Sequence, residues 1–373
     1  MRLQSLAASD VSVQPGKKRK RLNAPSLSLG DIGEANKRVK YMESLPPALK
    51  NKQLAFASQR FGAGSNGVVC GLLVNGEVSE KYVVKTALMQ ADRPSEATIE
   101  MLRKEIGLNK ALSRINNRTP IPGILVGAGS AQLENQLSLI LPRVHGGALT
   151  TYIDAAYDDF LSGKTSSADF TQSLREQIKP VIEGMAVLHS NGFVVNDFNA
   201  GNLLHDKTAG HGKLIDFGCA GHTGDFIKPG TVGTIAPERI ESSEHKPEEP
   251  GSRNKPLMPA SDAYSMGCVL HFLVHGRYPT WSDKAAMLGD EQQLLVLSAS
   301  TEGFLRRGSL FPNRETALNS DLRGNDPAVE KQLREHLNAS GFYDLIEGLT
   351  HPDPKKRLTL TQAVASPFLT AHT

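Results

Sequence analysis

Three glycines set the terms for the first third of this chain. Gly62-Ala63-Gly64-Ser65-Asn66-Gly67-Val68-Val69 spells G-x-G-x-x-G-x-V, a spacing at which bare backbone can approach phosphate oxygens. The residues after the glycines separate two folds. A dinucleotide-binding unit needs a helix directly after them, whereas Val68-Val69-Cys70-Gly71-Leu72-Leu73-Val74 is strand-like and ends in the turn pair Asn75-Gly76. The glycines therefore belong to a β-hairpin, in which a phosphate-binding loop competes with a plain glycine turn.

Lys81-Tyr82-Val83-Val84-Lys85 reads as the next strand, with a lysine at its end where it either reaches phosphates under the loop or is simply solvated. Residues 95–112 read as a helix capped by Ser95, with Leu102, Ile106, Leu108 and Leu112 on its apolar side. Glu100 and Glu105 compete as partners for Lys85, and the surrounding pattern favours Glu105. Residues 137–141 form a short buried-type strand that Pro142-Arg143-Val144-His145-Gly146-Gly147 breaks into a connector, a natural hinge between two lobes. Beyond it, residues 173–190 are amphipathic, with a kink expected at Pro180.

The chemistry concentrates in Val194-Val195-Asn196-Asp197-Phe198-Asn199-Ala200-Gly201-Asn202, and then in Asp216-Phe217-Gly218. One carboxylate to position a hydroxyl and two oxygen-bearing side chains to hold magnesium are what phosphoryl transfer needs. Taken alone, the same residues read equally well as turn formers.

Charge divides the chain. Residues 1–52 hold eleven Lys/Arg against four Asp/Glu, a net +7, and the remainder carries −4. The leader lacks helical or strand period and reads as disordered. Its run Lys17, Lys18, Arg19, Lys20 and Arg21 fits a nuclear-import receptor or a solvated tail, and no aromatic residue is interleaved to suggest specific nucleic-acid binding. Cys70, Cys219 and Cys268 match neither a disulfide framework nor a metal spacing, which suits a reducing compartment. No run is long and apolar enough for a membrane span, so a cytoplasmic or nuclear address is expected.

The order of these pieces resembles the eukaryotic-type protein kinase family, from about residue 53 to the C-terminus. Gly230-Thr231-Val232-Gly233-Thr234-Ile235-Ala236-Pro237-Glu238 resembles its A-P-E segment, Asp262-Ala263-Tyr264-Ser265-Met266-Gly267 its D-x-W-S-x-G helix start, and Arg357 the late arginine that pairs with the A-P-E glutamate. The resemblance implies an α+β, two-lobed protein kinase fold: a small β-rich N-lobe with one main helix at 53–144 and a larger, mainly helical C-lobe at 145–373, behind a basic leader at 1–52. It also implies ATP and Mg2+ as cofactors and Ser/Thr hydroxyls of a protein substrate as acceptors. Gly62, Ala63, Gly64, Ser65, Asn66 and Gly67 would cover the phosphates, and Val69 and Val83 would enclose the adenine. Leu141 would be the gatekeeper, and the backbone around Val144 would meet the adenine edge. Lys85, held by Glu105, would bind the α- and β-phosphates. Asp197 would orient the acceptor hydroxyl beside Thr231, while Asn202 and Asp216 hold the metal.

Three positions depart from the family pattern. Val195 and Asn196 replace its His-Arg before the catalytic aspartate, and Asn199 replaces a lysine that touches the transferring phosphate. Loss of the arginine implies a kinase that does not need phosphorylation of its activation segment at Thr223, Thr231 or Thr234. Loss of the lysine implies lower turnover, or a cation from elsewhere such as Lys228. Asn109, at an apolar position of the family's internal stack, implies a looser stack. Against the active-kinase expectation stand a pseudokinase scaffold and a small-molecule kinase. The unorthodox core behind a short basic leader also suits a bacterial effector working in a host cell.

Overall fold

The computed structural model describes residues 45–64, 67–90, 93–227, 230–239, 256–278, 322 and 327–371, all within one compact unit. Ser65, Asn66, Lys228, the basic run from Lys17 to Arg21 and most of the insertion between Glu238 and Asp262 lie outside these residues.

The glycine hairpin is formed by β1 (Leu54–Gly64) and β2 (Gly67–Val74), and β2 turns into β3 (Glu77–Thr86). Asn75 and Gly76 both carry positive φ, 54° and 88°, which is why this pair makes the turn. β4 (Gly129–Leu133) and β5 (Gln136–Pro142) complete an antiparallel sheet of order β1-β2-β3-β5-β4. β5 extends through Pro142, whose missing N–H is tolerated at a strand end.

The register sorts the side chains between two faces. Val69 lies opposite Lys85, Val83 opposite Leu141, and Lys85 opposite Leu139, so all five share the face toward the cleft. Leu72, Val84 and Ile140 take the other face, where they pack with Leu49. Leu49 is only 2 % exposed and sits in a 3-10 turn, Pro47–Leu49. The packed lobe therefore starts before the expected residue 53, because an apolar pair, Leu45 and Leu49, covers a sheet face that would otherwise meet water.

α1 (Glu96–Asn116) carries Ser95 as its cap, the side chain accepting from Thr98 N at 3.2 Å. Leu102 and Ile106 pack against Leu139, which docks the helix on the cleft face of the sheet.

The second lobe is mainly helical: α2 (Leu149–Leu161), α3 (Ser167–Ser190), α4 (Pro259–His275), α5 (Pro327–Ala339), α6 (Phe342–Leu349) and two short C-terminal helices. α3 begins earlier than the apolar pattern suggested, because Ser166 and Asp169 form a capping box ahead of it, and it continues through Pro180 as one helix. Its buried face (Leu174, Ile178, Val181, Ile182, Met185 and Leu188) is the spine of the largest core cluster. A small sheet, β6 (Gly146–Ala148), β7 (Leu203–Asp206) and β8 (His211–Leu214), lies in the order β8-β7-β6.

Candidate active site

The β7/β8 hairpin explains how residues 197, 202 and 216 meet. Leu203 pairs with Leu214, and Ile215 N donates to Asn202 O at 2.9 Å, so Asn202 and Asp216 emerge side by side at the hairpin's open end. Asn202 Nδ2 donates to the Asp197 carbonyl at 3.0 Å, tying the third member to the pair and leaving the amide oxygen for a cation. With the Asp216 carboxylate, this gives an all-oxygen donor set, the chemistry that suits magnesium.

Asp216 has φ of +64°, a left-handed conformation that aspartate tolerates better than most residues and that marks a constrained site. Its Oδ1 accepts from Gly218 N at 3.0 Å and from Lys85 Nζ at 2.8 Å. Lys85 Nζ also meets Glu105 at 2.8 to 2.9 Å, and both side chains are buried. The sheet, α1 and the catalytic hairpin are thus joined through one ammonium. Burial alone would push the pKa of Lys85 down, but the two carboxylates outweigh it and hold it above the usual lysine value. Burial pushes the Glu105 carboxyl up, with Lys85 pulling it back. Glu100 instead bonds Arg103 on the surface, which resolves the choice between the two glutamates.

Asp197 Oδ1 collects three donors: Thr231 N at 2.8 Å, Thr231 Oγ1 at 2.7 Å and Asn199 Nδ2 at 3.1 Å. Asn199 Nδ2 also donates to Thr231 Oγ1 at 3.0 Å. Asn199 therefore knits the acceptor carboxylate to Thr231 as a neutral hydrogen-bond donor. Gly230 is needed here, since a Cβ would fall 2.3 Å from Asp197 Oδ1.

The glycine loop divides by function. A Cβ on Gly67 would meet the Thr86 carbonyl at 2.7 Å, so packing requires that glycine. Gly62 and Gly64 have nothing within 4 Å and no positive φ, so the fold itself does not require glycine at either. In the hinge, Arg143 N donates to Lys81 O at 2.9 Å and His145 O accepts from Lys207 N at 2.8 Å, while Val144 between them has no backbone partner among the described residues.

At two of the departures the structure shows what the side chain does. Val195 is 1 % exposed and lies in the same core cluster as Phe217, filling its place with apolar bulk. Asn109 is also buried, but both ends of its amide are bonded: Nδ2 donates to Glu105 O at 3.0 Å and Oδ1 accepts from Gly127 N at 2.7 Å. The position holds a polar clamp between α1 and the loop before β4.

Sequence reasoning missed what supports the backbone before Asp197. Asp262, in the first turn of α4 and fully buried, accepts from Val195 N at 2.6 Å, Asn196 N at 2.8 Å and His189 Nε2 at 2.9 Å. Arg357 forms a two-pronged pair with Glu238 at 2.6 and 2.8 Å, with its guanidinium over the Tyr264 ring.

A family profile described as "Protein kinase domain" matches residues 57–369. The chain belongs to the protein kinase family. Among the similar proteins are mitogen-activated protein kinase kinase kinase 5 of Arabidopsis thaliana, 30 % identical over 227 residues, 60 % of this chain and 28 % of that protein. Calcium/calmodulin-dependent protein kinase type IV of Mus musculus is 26 % identical over 316 residues, 83 % of this chain and 53 % of its own length. Cyclin-dependent kinase G1 of Arabidopsis thaliana is 28 % identical over 198 residues, 52 % of this chain and 31 % of that protein. The chain thus spans between 28 % and 53 % of the length of these relatives. Among the described residues of this kinase, no helix is long and apolar enough to cross a membrane.

Proposed function

We propose that this protein kinase transfers the γ-phosphoryl group of ATP, with Mg2+, to Ser/Thr hydroxyls of protein substrates, and that it does so without a phosphate on its activation segment. The observation that carries the reading is the Lys85 ammonium bridging Glu105 and Asp216, because that bridge assembles parts from both lobes into one site. In this reading Gly62 and Gly64 admit the phosphates, Val69 and Val83 enclose the adenine beside Leu141, and Val144 offers its backbone to the adenine edge. Lys85 neutralises phosphate charge, and Asp197 orients the acceptor hydroxyl. Asn202 and Asp216 would hold Mg2+, which supplies charge neutralisation at the phosphates.

Independence from activation-segment phosphate is supported by what two of the three threonines are doing, the third, Thr223, being exposed. Thr234 is 2 % exposed and bonded to Thr231 O, and the Thr231 hydroxyl is bonded to Asp197, so a phosphate on either would break an existing contact. The acceptor class is supported by Thr231 and Asp197 forming the wall against which a small hydroxyl side chain would sit.

The test is purified protein with γ-labelled ATP and Mg2+, offered protein, aminoglycoside and sugar acceptors, with phosphoamino-acid analysis of the products. Label on Ser/Thr of protein, lost in Asp216→Ala and Lys85→Ala, is the expected result. Label on a small-molecule acceptor alone, or nucleotide binding with no transfer, would refute it.

A further inference from the structure

Arg239 comes directly after Ala236-Pro237-Glu238, yet it is only 3 % exposed. Its Nη2 donates to Asn196 Oδ1 at 3.1 Å and to the Ile227 carbonyl at 2.6 Å. The other end of the Asn196 amide donates to Cys219 O at 3.1 Å. One arginine and one asparagine therefore join the start of the activation segment at Cys219, its middle at Ile227 and its end at Arg239 to the residue that precedes Asp197. Asn196 itself has φ of +66°, a left-handed conformation that asparagine tolerates better than most non-glycine residues. Asp262 holds its N–H from below, and Arg239 and Cys219 hold its side chain from above.

We infer that Arg239 is a positioning residue for Asp197: it latches the activation segment onto the catalytic loop with a built-in guanidinium. The geometry resembles in purpose what a phosphate would achieve against an arginine at position 196, but the cation and its acceptors are here both part of the chain. A buried guanidinium bound to carbonyl oxygens is on at all times, so the latch sets a constitutively assembled site. Burial lowers the pKa of Arg239 while Glu238 and Asp262 oppose the shift, and the group stays a cation.

The inference rests on the kinase reading, and its test separates the two. Full-length protein is treated with phosphatase and its unphosphorylated mass verified. Wild type, Arg239→Ala, Arg239→Lys, Asn196→Ala and the double Ala variant are then compared for kcat, KM for ATP, and hydrogen exchange of residues 217–227. Each single Ala variant is expected to lose about tenfold or more in kcat with KM for ATP within about twofold, since the latch acts on Asp197 and not on nucleotide binding. Arg239→Lys recovers part of the loss, and the double variant loses no more than the worse single, because both residues serve one connection. Exchange over residues 217–227 rises in the Ala variants while that of β1 to β3 stays as in wild type.

Unchanged kcat and unchanged exchange in Arg239→Ala, or losses that add in the double variant, would overturn the inference. Should Arg239→Ala fail to fold, Asn196→Ala carries the same test. Should wild type transfer no phosphate, the kinase reading falls, and exchange alone still decides the latch.

Discussion

Asp197 spends one carboxylate oxygen on structure, since Oδ1 takes three donors from Thr231 and Asn199. In the proposed reaction, that leaves Oδ2 for an incoming hydroxyl. Replacing Asn199 by Ala removes one of the three donors and loosens the carboxylate, so kcat should fall by about tenfold in a steady-state assay. Asn199→Lys restores a charge beside the transferring phosphate and should preserve or raise kcat; total loss from a folded variant would contradict this. Lys85 gives a second test, on stability. Lys85→Met leaves Glu105 buried with no counter-charge, so its folded pKa rises further above the unfolded value of about 4.3. A carboxyl with a raised folded pKa favours folding while protonated, and that contribution is lost as pH rises through the folded value. Urea unfolding should therefore show the variant closest to wild type near about pH 5 and weaker near about pH 8, the gap widening by about 1–3 kcal/mol.

At the scale of elements, the burial of Leu49 makes the segment before β1 part of the small lobe. Leu49→Ala should cost about 2–3 kcal/mol, read as a lowered unfolding midpoint. The segment escaped sequence reasoning because two leucines flanking Pro46-Pro47-Ala48 carry no period; only the sheet face they cover gives them meaning. The hairpin, the capped α1 and the cleft lysine were legible because each has a local cause: turn residues with positive φ, a serine cap, and alternation along a strand. The choice of Glu105 over Glu100 was legible from the apolar pattern around it, since the helix face that packs on Leu139 is the face that carries Glu105. Arg239 gave no signal. It sits in a three-residue 3-10 turn, and its partners Asn196 and Ile227 are set by tertiary closure alone.

The two lobes are joined by apolar packing of α1 at Leu112 on the large-lobe core as well as by the Lys85–Asp216 ion pair at the cleft. Lys85 closes the cleft, and Arg357 fastens Glu238 to the floor of the large lobe. Arg357→Ala leaves the Glu238 carboxylate half-buried without its partner, so it should lower stability by about 3–5 kcal/mol and kcat with it; the double variant with Glu238→Ala should recover part of the stability by calorimetry. The departures at Val195, Asn196 and Asn199 are made good within the chain, by apolar filling, by the Arg239 latch and by a neutral hydrogen-bond network. In the function proposed above, a site completed this way would need no prior modification to work. The most direct measurement is the progress curve of phosphatase-treated, mass-verified protein mixed with ATP, Mg2+ and a protein acceptor. The account predicts product formation that is linear from the first turnovers. A lag that disappears on preincubation with ATP and returns after phosphatase treatment would contradict it.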